Sequence, residues 1–342
     1  MQNFKKVFQA SILFVAVILI GSVLLIEMYL HSDLEYYQDN AYRDSLSGSL
    51  DFLIVGSCQG KYAFNPEVLD ECLNCNSYNL CGIHTSPSGE IAMLSEEIDR
   101  NPVKNVVIDI DYDTLAYTTK GVHALGDLTT IPRLNSSAKR LKYFFCNVHL
   151  EDYPIMYSRF IKCGYCCLMR KALGTYKSEV SVEEKGHLSR ESSDFVILEK
   201  DAPNVRQSKS LDTDIMENND KKIEEMIRMC RDRDINVVMV MTPSTDNYVW
   251  TYSGWDTVYS QVQNIADACG VNFLDFNLYR EKSSILHDEN SYQGLWHLSA
   301  EGSKVFTKEL TEVFKLLNDG EDVAPLFYGS YEEVLSNSRY CY

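Results

Sequence analysis

The sequence is short of positive charge. Its 342 residues include 32 Lys and Arg against 49 Asp and Glu, giving a formal net charge of −17 at pH 7. Proteins that bind nucleic acid need a basic surface to neutralise phosphates, so nucleic acid is excluded as an expected partner. The deficit also disfavours a domain that lies flat on an anionic membrane leaflet. Wholesale disorder is excluded too, because 45% of the residues are hydrophobic and 11% are aromatic.

Charge is absent altogether from one stretch near the N-terminus. From Val7 to Ile26 the chain reads VFQASILFVAVILIGSVLLI, which is about the length needed to cross a bilayer as a helix. Charges of opposite sign flank this run, with Lys5 and Lys6 before it and Glu27, Asp33 and Glu35 after it. This arrangement predicts a cytoplasmic N-terminus and an exported remainder. A cleaved signal peptide is the alternative, but its apolar region is shorter and ends in a small-x-small site. We therefore expect residues 1–30 to be a single-pass anchor in the cell membrane.

Cysteine, in contrast, is not scarce. The chain has 11 cysteines, and an odd count leaves at least one unpaired. Three cysteines and a histidine have the spacing C-x2-C-x5-C-x2-H, namely Cys72, Cys75, Cys81 and His84. Because this spacing departs from the usual zinc patterns, plain buried thiols are favoured over a disulfide, and a disulfide over a zinc site. A second cluster with the same ambiguity comprises Cys163, Cys166 and Cys167. We expect no metal and no cofactor.

After a polar linker at about residues 31–50, short apolar runs alternate with amphipathic segments. The runs are typical of fully buried strands and lie at about 52–55, 77–81, 106–110, 237–241 and 272–276. The segments between them predict helices at about 66–72, 89–100 (capped by Ser88), from 219, at 256–269 and after Ser299. Such alternation favours parallel strands with right-handed crossovers. We therefore predict a three-layer, flavodoxin-like, doubly wound α/β sheet of five parallel strands.

This α/β domain is predicted to span residues 51–317, with a tail at 318–342. An insertion at about 118–210 interrupts it, lacks a clean hydrophobic period, and is expected to carry short helices.

In doubly wound sheets, ligands bind beyond the carboxyl ends of the strands. The candidate site residues at that edge are Ser57, Cys58, Gly82, Asp111, Pro243 and His297. A nucleophile type and a histidine at one edge are the minimum for covalent acyl chemistry.

Two further groups at this edge leave alternatives open. Asp109, Asp111 and Asp113 favour a solvated strand end over a metal site. Tyr248 and Trp250 could line a sugar site or pack in the core.

Five segments carry a resemblance to a known family: LIVGSCQGKYAFNPEVLDE, YNLCGIHTSP, VVIDIDYDTL, VVMVMTPSTDNYV and HLSAEGSKVFTKEL. Over about 51–115 and 217–317 the chain resembles the SGNH-hydrolase superfamily. It is most similar to the membrane-anchored branch that includes teichoic-acid D-alanine transfer proteins and exopolysaccharide O-acetyltransferases. The resemblance implies the same five-stranded fold, a nucleophile on a Gly-x-Ser turn after the first strand, His297 as the base, and Gly82 as an oxyanion donor.

Two positions depart from the family pattern. The nucleophile position holds Cys58, with Ser57 one place earlier, and the position three residues before His297 holds Gly294 instead of aspartate. A thiol depends less on an orienting carboxylate, because a thiolate paired with imidazolium is already a competent nucleophile. We therefore predict that Cys58 is the reactive group, and that Asp288 or a backbone carbonyl orients His297.

The resemblance implies a membrane-tethered, extracytoplasmic acyl transferase or acyl esterase. Its substrate would be a glycan or acylated polymer of the cell envelope or a secreted glycan, and its partner a membrane-bound O-acyltransferase. The alternative is a glycan-binding or assembly factor that kept the fold and lost the site.

Overall fold

The structure is a computed structural model that describes residues 2–30, 48–116, 125–149, 184–191, 207–208 and 213–337, together with Arg43, Leu46 and a few residues between 151 and 173. The chain divides into two compact units. One comprises residues 1–46 and 119–182, and the other residues 47–118 and 183–342. Each is described by itself.

The helices are, in chain order, α1 (Gln2–Leu30), α2 (Cys58–Ala63), α3 (Pro66–Leu73), α4 (Pro87–Arg100), α5 (Tyr112–Ala116), α6 (Leu125–Arg133), α7 (Ser137–Asn147), α8 (Thr213–Arg231), α9 (Asp246–Thr251), α10 (Trp255–Cys269), α11 (Lys282–Ile285), α12 (Asp288–Ser291), α13 (Ala300–Asn318) and α14 (Tyr331–Asn337). The strands are β1 (Leu50–Val55), β2 (Ser77–Asn79), β3 (Val103–Asp109), β4 (Asn236–Met241), β5 (Asn272–Asp275), β6 (Tyr292–Gln293) and β7 (His297–Leu298). Single 3-10 turns lie at Glu184–Gly186 and Ala324–Leu326, and a two-residue parallel ladder joins Gln207–Ser208 to Tyr252–Ser253.

The first unit contains α1, the one helix among the described residues that is long and apolar enough to cross a membrane, over Phe4–Leu24. Two hydroxyl groups in this run, those of Ser11 and Ser22, donate to the carbonyl four residues earlier, at 3.0 and 2.8 Å. The helix thereby satisfies these two hydroxyl groups from its own backbone, as a membrane-spanning helix would need to. The same unit contains α6 and α7, which are short helices of the kind expected in the insertion.

The second unit is built on one five-stranded sheet in the order β2-β1-β3-β4-β5. All four pairings are parallel, as at Leu53↔Val106 and Val107↔Val238. This confirms the predicted doubly wound α/β fold. The strand order reverses between β1 and β3, where such sheets open a crevice at their carboxyl edge.

Most element boundaries lie within a few residues of the prediction, and the differences have local causes. Helix α4 begins at Pro87 and is capped by the Ser86 hydroxyl, which accepts from the Gly89 amide at 3.1 Å, and not by Ser88. Proline favours the first helical position, which places the cap one residue before it. Gly270 ends α10 in the left-handed conformation, as expected.

The expected tail is in part a component of the second unit. Tyr331 of α14 is buried, and its hydroxyl donates to Asp275 Oδ2 at 2.6 Å at the end of β5. Tyr279 and Phe327 form an isolated antiparallel bridge, and their rings pack 5.5 Å apart. Residues up to 337 therefore help to close the sheet beside β5.

Candidate active site

Two glycines allow β3 to approach the turn that follows β1. A Cβ on Gly56 would lie 2.4 Å from the Cβ of Asp109, and one on Gly60 would lie 2.7 Å from its Oδ2. The Gly60 amide donates to this Oδ2 at 2.8 Å. The Asp109 carboxyl is completely buried. Its burial, and secondly the nearby Asp111, raise its pKa well above the usual range, which favours the neutral acid.

Ser57 caps α2 and is held at both sides of its hydroxyl group. The oxygen accepts from the Gln59 amide at 3.3 Å, and the proton is donated to Asp111 Oδ2. The other oxygen of Asp111 accepts from the amide and hydroxyl of Thr114, at 2.5 and 2.8 Å. Since its proton and a lone pair are both engaged, Ser57 is arranged as a structural cap. The half-buried thiol of Cys58 follows it as the first residue of α2.

The acidic residues after β3 correct one expectation, since Asp109 and Asp111 are not a solvated strand end. Both are buried, because the turn after β1 and helix α5 cover them. Glu90 of α4 is buried with them. Burial, and then the charges of Asp111 and Asp109, raise its pKa well above the usual range, and its carboxyl oxygens have no hydrogen-bond partner among the described residues. The side chain of Asp113 lies outside the described part.

The amide of Gly82 is engaged in the sheet. After β2 the chain continues alongside β1, so that the Leu80 amide donates to Ile54 O at 2.7 Å and the Gly82 amide to Gly56 O at 3.0 Å. In this geometry the Gly82 N–H holds the turn in place and is not directed at an oxyanion, which departs from the role that the family resemblance implied.

His297 lies on β7, with its ring 4.5 Å from the ring of Tyr62. Tyr62 is one helical turn after Cys58 on α2, so the two share a helix face. The Nε2 atom of His297 is buried and has no hydrogen-bond partner in the described part of the chain, neither Ser57 nor Cys58. Burial, then Arg190 and His84, lower the pKa of His297 to about 4. The ring is thus neutral at pH 7, the form that a general base requires.

The remaining predicted residues lie on the loops around this edge. Pro243 is buried in the loop after β4, and the preceding Thr242 ties this loop to α2 by donating to Gln59 Oε1 at 3.2 Å. Asp288 begins α12, but its side chain lies outside the described residues, so its predicted role in orienting His297 stays a prediction.

Aromatic side chains continue the edge beyond His297. Tyr248 is buried against Trp255 and Trp296, with ring centroids 5.6 and 5.4 Å apart, which supports the packing role over the sugar-binding role. Trp296 is 41% exposed, and its ring centroid lies 6.0 Å from that of His297. The side chain of Trp250 is outside the described part.

Sequence reasoning missed residues 184–191, here called the strap, which cross α2 and the start of α13. The Leu188 amide donates to Lys61 O at 3.0 Å, and the Lys61 ammonium donates to Gly186 O at 3.1 Å. At its other end, Arg190 O accepts from the Ala300 amide at 2.7 Å. The strap was missed because the surrounding sequence has no hydrophobic period.

The strap buries His187 between α2 and α13. Its Nε2 lies 2.9 Å from Ser303 Oγ and 3.3 Å from Tyr62 O. Burial lowers its pKa to about 4. The preceding Gly186 has φ +84°, and a Cβ there would lie 2.1 Å from Asn79 O. A glycine next to a histidine was the only feature of the sequence that indicated a close approach of the strap to β2.

The cysteine clusters supply no second site in the part of the chain that the structure describes. Cys72, Cys75 and Cys81 form no disulfide there, and no three His, Cys, Asp or Glu residues are grouped to hold a metal ion. Burial, and then Asp70, raise the pKa of Cys75 to about 12. Cys163, Cys166 and Cys167 lie outside the described residues.

Comparison with known proteins gives fold-level likenesses only. No family model and no curated protein sequence matches the chain. A GDSL-like lipase from Bacteroides thetaiotaomicron matches with 8% identity and a TM-score of 0.40, over 82% of this chain and 98% of that one. A lipase/acylhydrolase from Enterococcus faecalis matches with 9% identity and a TM-score of 0.37, over 78% and 96%. Because the identities and TM-scores are low, the function has to be argued from the residues of the site.

Proposed function

We propose that the protein is an acyl esterase or acyl transferase that acts on cell-envelope or secreted glycans, with Cys58 as nucleophile and His297 as base. One observation carries the proposal. His297 presents a neutral imidazole, packed on the helix that begins with Cys58, whose buried Nε2 has no hydrogen-bond partner among the described residues. Buried polar atoms are nearly always paired, and an unpaired one calls for an explanation. The role of a general base, which accepts the thiol proton of Cys58 during the reaction, is such an explanation.

The chemistry needs no group beyond these residues and the two substrates. The thiol gives its proton to His297, and the sulfur attacks the acyl carbonyl to form a tetrahedral intermediate. Collapse breaks the ester bond, and the leaving alcohol takes the proton from His297. Water or a glycan hydroxyl then attacks the thioester, with His297 again accepting the proton. Collapse of this second intermediate breaks the C–S bond, and the Cys58 sulfur takes the proton back from His297. Catalytic hydrogen bonds often tighten only when substrate binds, which fits the separation of His297 from Cys58 in the free protein.

The N-terminal helix supports a tethered form of this activity. The apolar run of α1, with lysines before it and acids after it, favours a cytoplasmic N-terminus and an extracytoplasmic α/β unit. A tethered enzyme suits a substrate or acyl donor held at the same membrane, such as that of a membrane-bound O-acyltransferase. Protease digestion of intact spheroplasts tests the topology, and protection of the α/β unit would contradict it.

A second candidate function is glycan binding without catalysis. The observation that favours it is the same missing hydrogen bond, since no bond joins His297 Nε2 to Ser57 or Cys58 among the described residues. The exposed Trp296 beside it offers an aromatic face for a sugar ring.

Trapping the intermediate separates the two functions. Full-length protein in detergent is mixed with an O-acetylated glycan, quenched in acid and digested, and the peptide containing Cys58 is weighed by mass spectrometry. An added acetyl group on Cys58 that disappears in Cys58→Ala supports the enzyme, with Cys75→Ala as the matched control. Glycan binding with neither acetate release nor acetyl-Cys58 would establish the second function instead.

A further inference from the structure

Beside His297, the strap places a cation that the proposed reaction does not use. The guanidinium carbon of Arg190 lies 5.4 Å from the centroid of the Tyr62 ring, whose other neighbour is His297. Arg190 is close enough to His297 to lower its pKa. The Arg190 side chain is exposed. It therefore stands at the solvent side of the proposed site.

Among the residues that the structure describes, Arg190 has no acidic partner, although the chain is rich in acids. Among the described residues, no ion pair is formed by Arg190, whereas Arg233 pairs with Asp99 and Arg280 with Glu333. In a chain with 17 more acids than bases, an arginine that lies next to a buried imidazole and forms no ion pair within the described part of the chain is unusual. Its planar fork of donors suits a carboxylate or a phosphate.

The position of Arg190 is fixed by hydrogen bonds of the strap's backbone, and not by hydrogen bonds of the Arg190 side chain. The strap is bonded to Lys61 on one side and to Ala300 on the other. His187 anchors its middle against Ser303. The guanidinium is thus held at the edge of the site by a segment with several independent attachments, and no other described residue accepts a hydrogen bond from it.

We propose that Arg190 determines substrate specificity by binding an anionic group of the substrate, a carboxylate or phosphate on the glycan that carries the acyl ester. This inference rests on the proposed function, because it assigns the substrate class of the same site. The anion would bind the Arg190 guanidinium beside the Tyr62 ring, with the ester carbonyl directed towards Cys58. An acidic sugar would then be preferred over its neutral counterpart.

The test compares three O-acetylated substrates that differ in one group: methyl glucoside, methyl glucuronoside and methyl glucoside 6-phosphate. Acetate release by full-length protein in detergent gives kcat/KM for each. We expect the wild type to prefer one or both anionic sugars, and the more strongly preferred one identifies the source of the charge. In Arg190→Gln the ratio of anionic to neutral kcat/KM should fall about tenfold, the usual size of a charge-assisted hydrogen bond. Arg190→Lys should give an intermediate ratio, because it keeps the charge and loses the fork.

Arg280→Gln is the matched control, because Arg280 also lies over a tyrosine ring, 4.3 Å from the centroid of Tyr328. Its anionic-to-neutral ratio should equal that of the wild type. Added salt should lower the ratio in the wild type but not in Arg190→Gln, because exposed charges are screened. Equal ratios in the wild type and Arg190→Gln would overturn the proposal.

If no acetate is released from any substrate, the proposed function fails, and binding of the non-acetylated sugars still tests Arg190. Titrations followed through the imidazole NMR signal of His297 should then show binding of the anionic sugars that is lost in Arg190→Gln and kept in Arg280→Gln. No difference between the anionic and neutral sugars in that measurement would overturn the role of Arg190 independently.

Discussion

The two edges of the five-stranded sheet differ in whether their polar side chains are paired. The amino edge carries a groove of about 1040 Å³ lined in part by Asp51, Asn105 and Asn236. These three side chains are paired: Asp51 forms an ion pair with Lys104 at 2.6 Å, and Asn236 donates to Asn105 at 3.1 Å. Lys104 and the Asn76 amide lower the pKa of Asp51, as in an ordinary surface ion pair.

The carboxyl edge contains the buried ionisable groups with shifted pKa values. Asp109 and Glu90 are buried acids with raised pKa values, and His297 is a buried base with a lowered pKa. Several of their polar atoms have no partner among the described residues. Shifted pKa values and unpaired atoms mark a functional site better than the size of a hollow does.

The largest expected effect comes from replacing His297, which tests whether the carboxyl edge is catalytic. If the carboxyl edge is catalytic, His297→Ala should lower kcat/KM for acetyl-ester cleavage by about 10²–10⁴-fold, the usual contribution of a general base. Asn236→Ala at the amino edge removes a side chain of similar polarity and should leave turnover unchanged. Acetate release measures both. Unchanged turnover in His297→Ala would leave the glycan-binding function as the better account.

The second effect compares two thiols, Cys58 at the carboxyl edge and Cys75 at the amino groove. The thiolate is the form that reacts, and a thiol with a pKa of about 12 is almost entirely protonated at pH 8. We expect iodoacetamide to label Cys58 more than about 100-fold faster than Cys75 if Cys58 is paired with His297. Peptide mapping over time measures both rates in one sample.

Ser57 provides the control for that experiment. Ser57→Ala removes a cap, which costs about 1 kcal/mol of stability, but should leave Cys58 reactive. If Ser57→Ala abolishes activity while Cys58→Ala retains it, the nucleophile lies one residue earlier than proposed.

The third effect concerns a glycine at each edge. Alanine in place of a mid-helix glycine is normally stabilising by about 0.5–1 kcal/mol, yet Gly60→Ala should destabilise the protein by about 3 kcal/mol, because its Cβ would press on Asp109 and Cys81. Gly270→Ala at the amino edge meets its nearest atom only at 3.4 Å, and should cost about 1 kcal/mol for its positive φ. Urea unfolding measures both. A stabilising Gly60→Ala would show that β3 does not approach the turn this closely.

The smallest effect is the pH dependence of stability that His187 contributes. A histidine with a pKa of about 4 when folded and 6.5 when unfolded is protonated first in the unfolded chain, so stability is lost as pH falls from 6.5 towards 4. Between pH 7.5 and pH 5 the expected loss is about 2 kcal/mol. His187→Asn should remove this part of the slope. Asp51 at the amino edge has a lowered pKa and contributes nothing over the same interval. Parallel stability curves for His187→Asn and the wild type would contradict the burial of this ring.

The fold was predictable from the sequence because β1, β3 and β4 are apolar on both faces, which only a buried parallel strand tolerates. The position of the site at the carboxyl edge followed from that topology. The roles of single residues did not follow, because they depend on contacts between distant segments. Ser57 and Asp111 are 54 residues apart, and nothing in the local pattern indicates that one engages the proton of the other.

The strap is a second case in which contacts between distant segments could not be predicted from the sequence. His187 and Arg190 lie in a segment without hydrophobic period, so neither could be assigned to the α/β unit from sequence. The Gly82 amide illustrates a different limit, since the family resemblance fixes a residue type at a position but not the direction in which its N–H points.

The attachment of the strap also bears on how much this chain can vary. The second unit is interrupted after residue 118 and resumes at residue 183, and the bond between Lys61 and Gly186 holds the chain where it resumes. The entropy of closing a flexible loop depends only logarithmically on its length, so that doubling the intervening chain costs only about 0.6 kcal/mol. The segment 119–182 can therefore be lengthened or shortened over evolutionary time with little penalty, while Arg190 is returned to the same place over Tyr62.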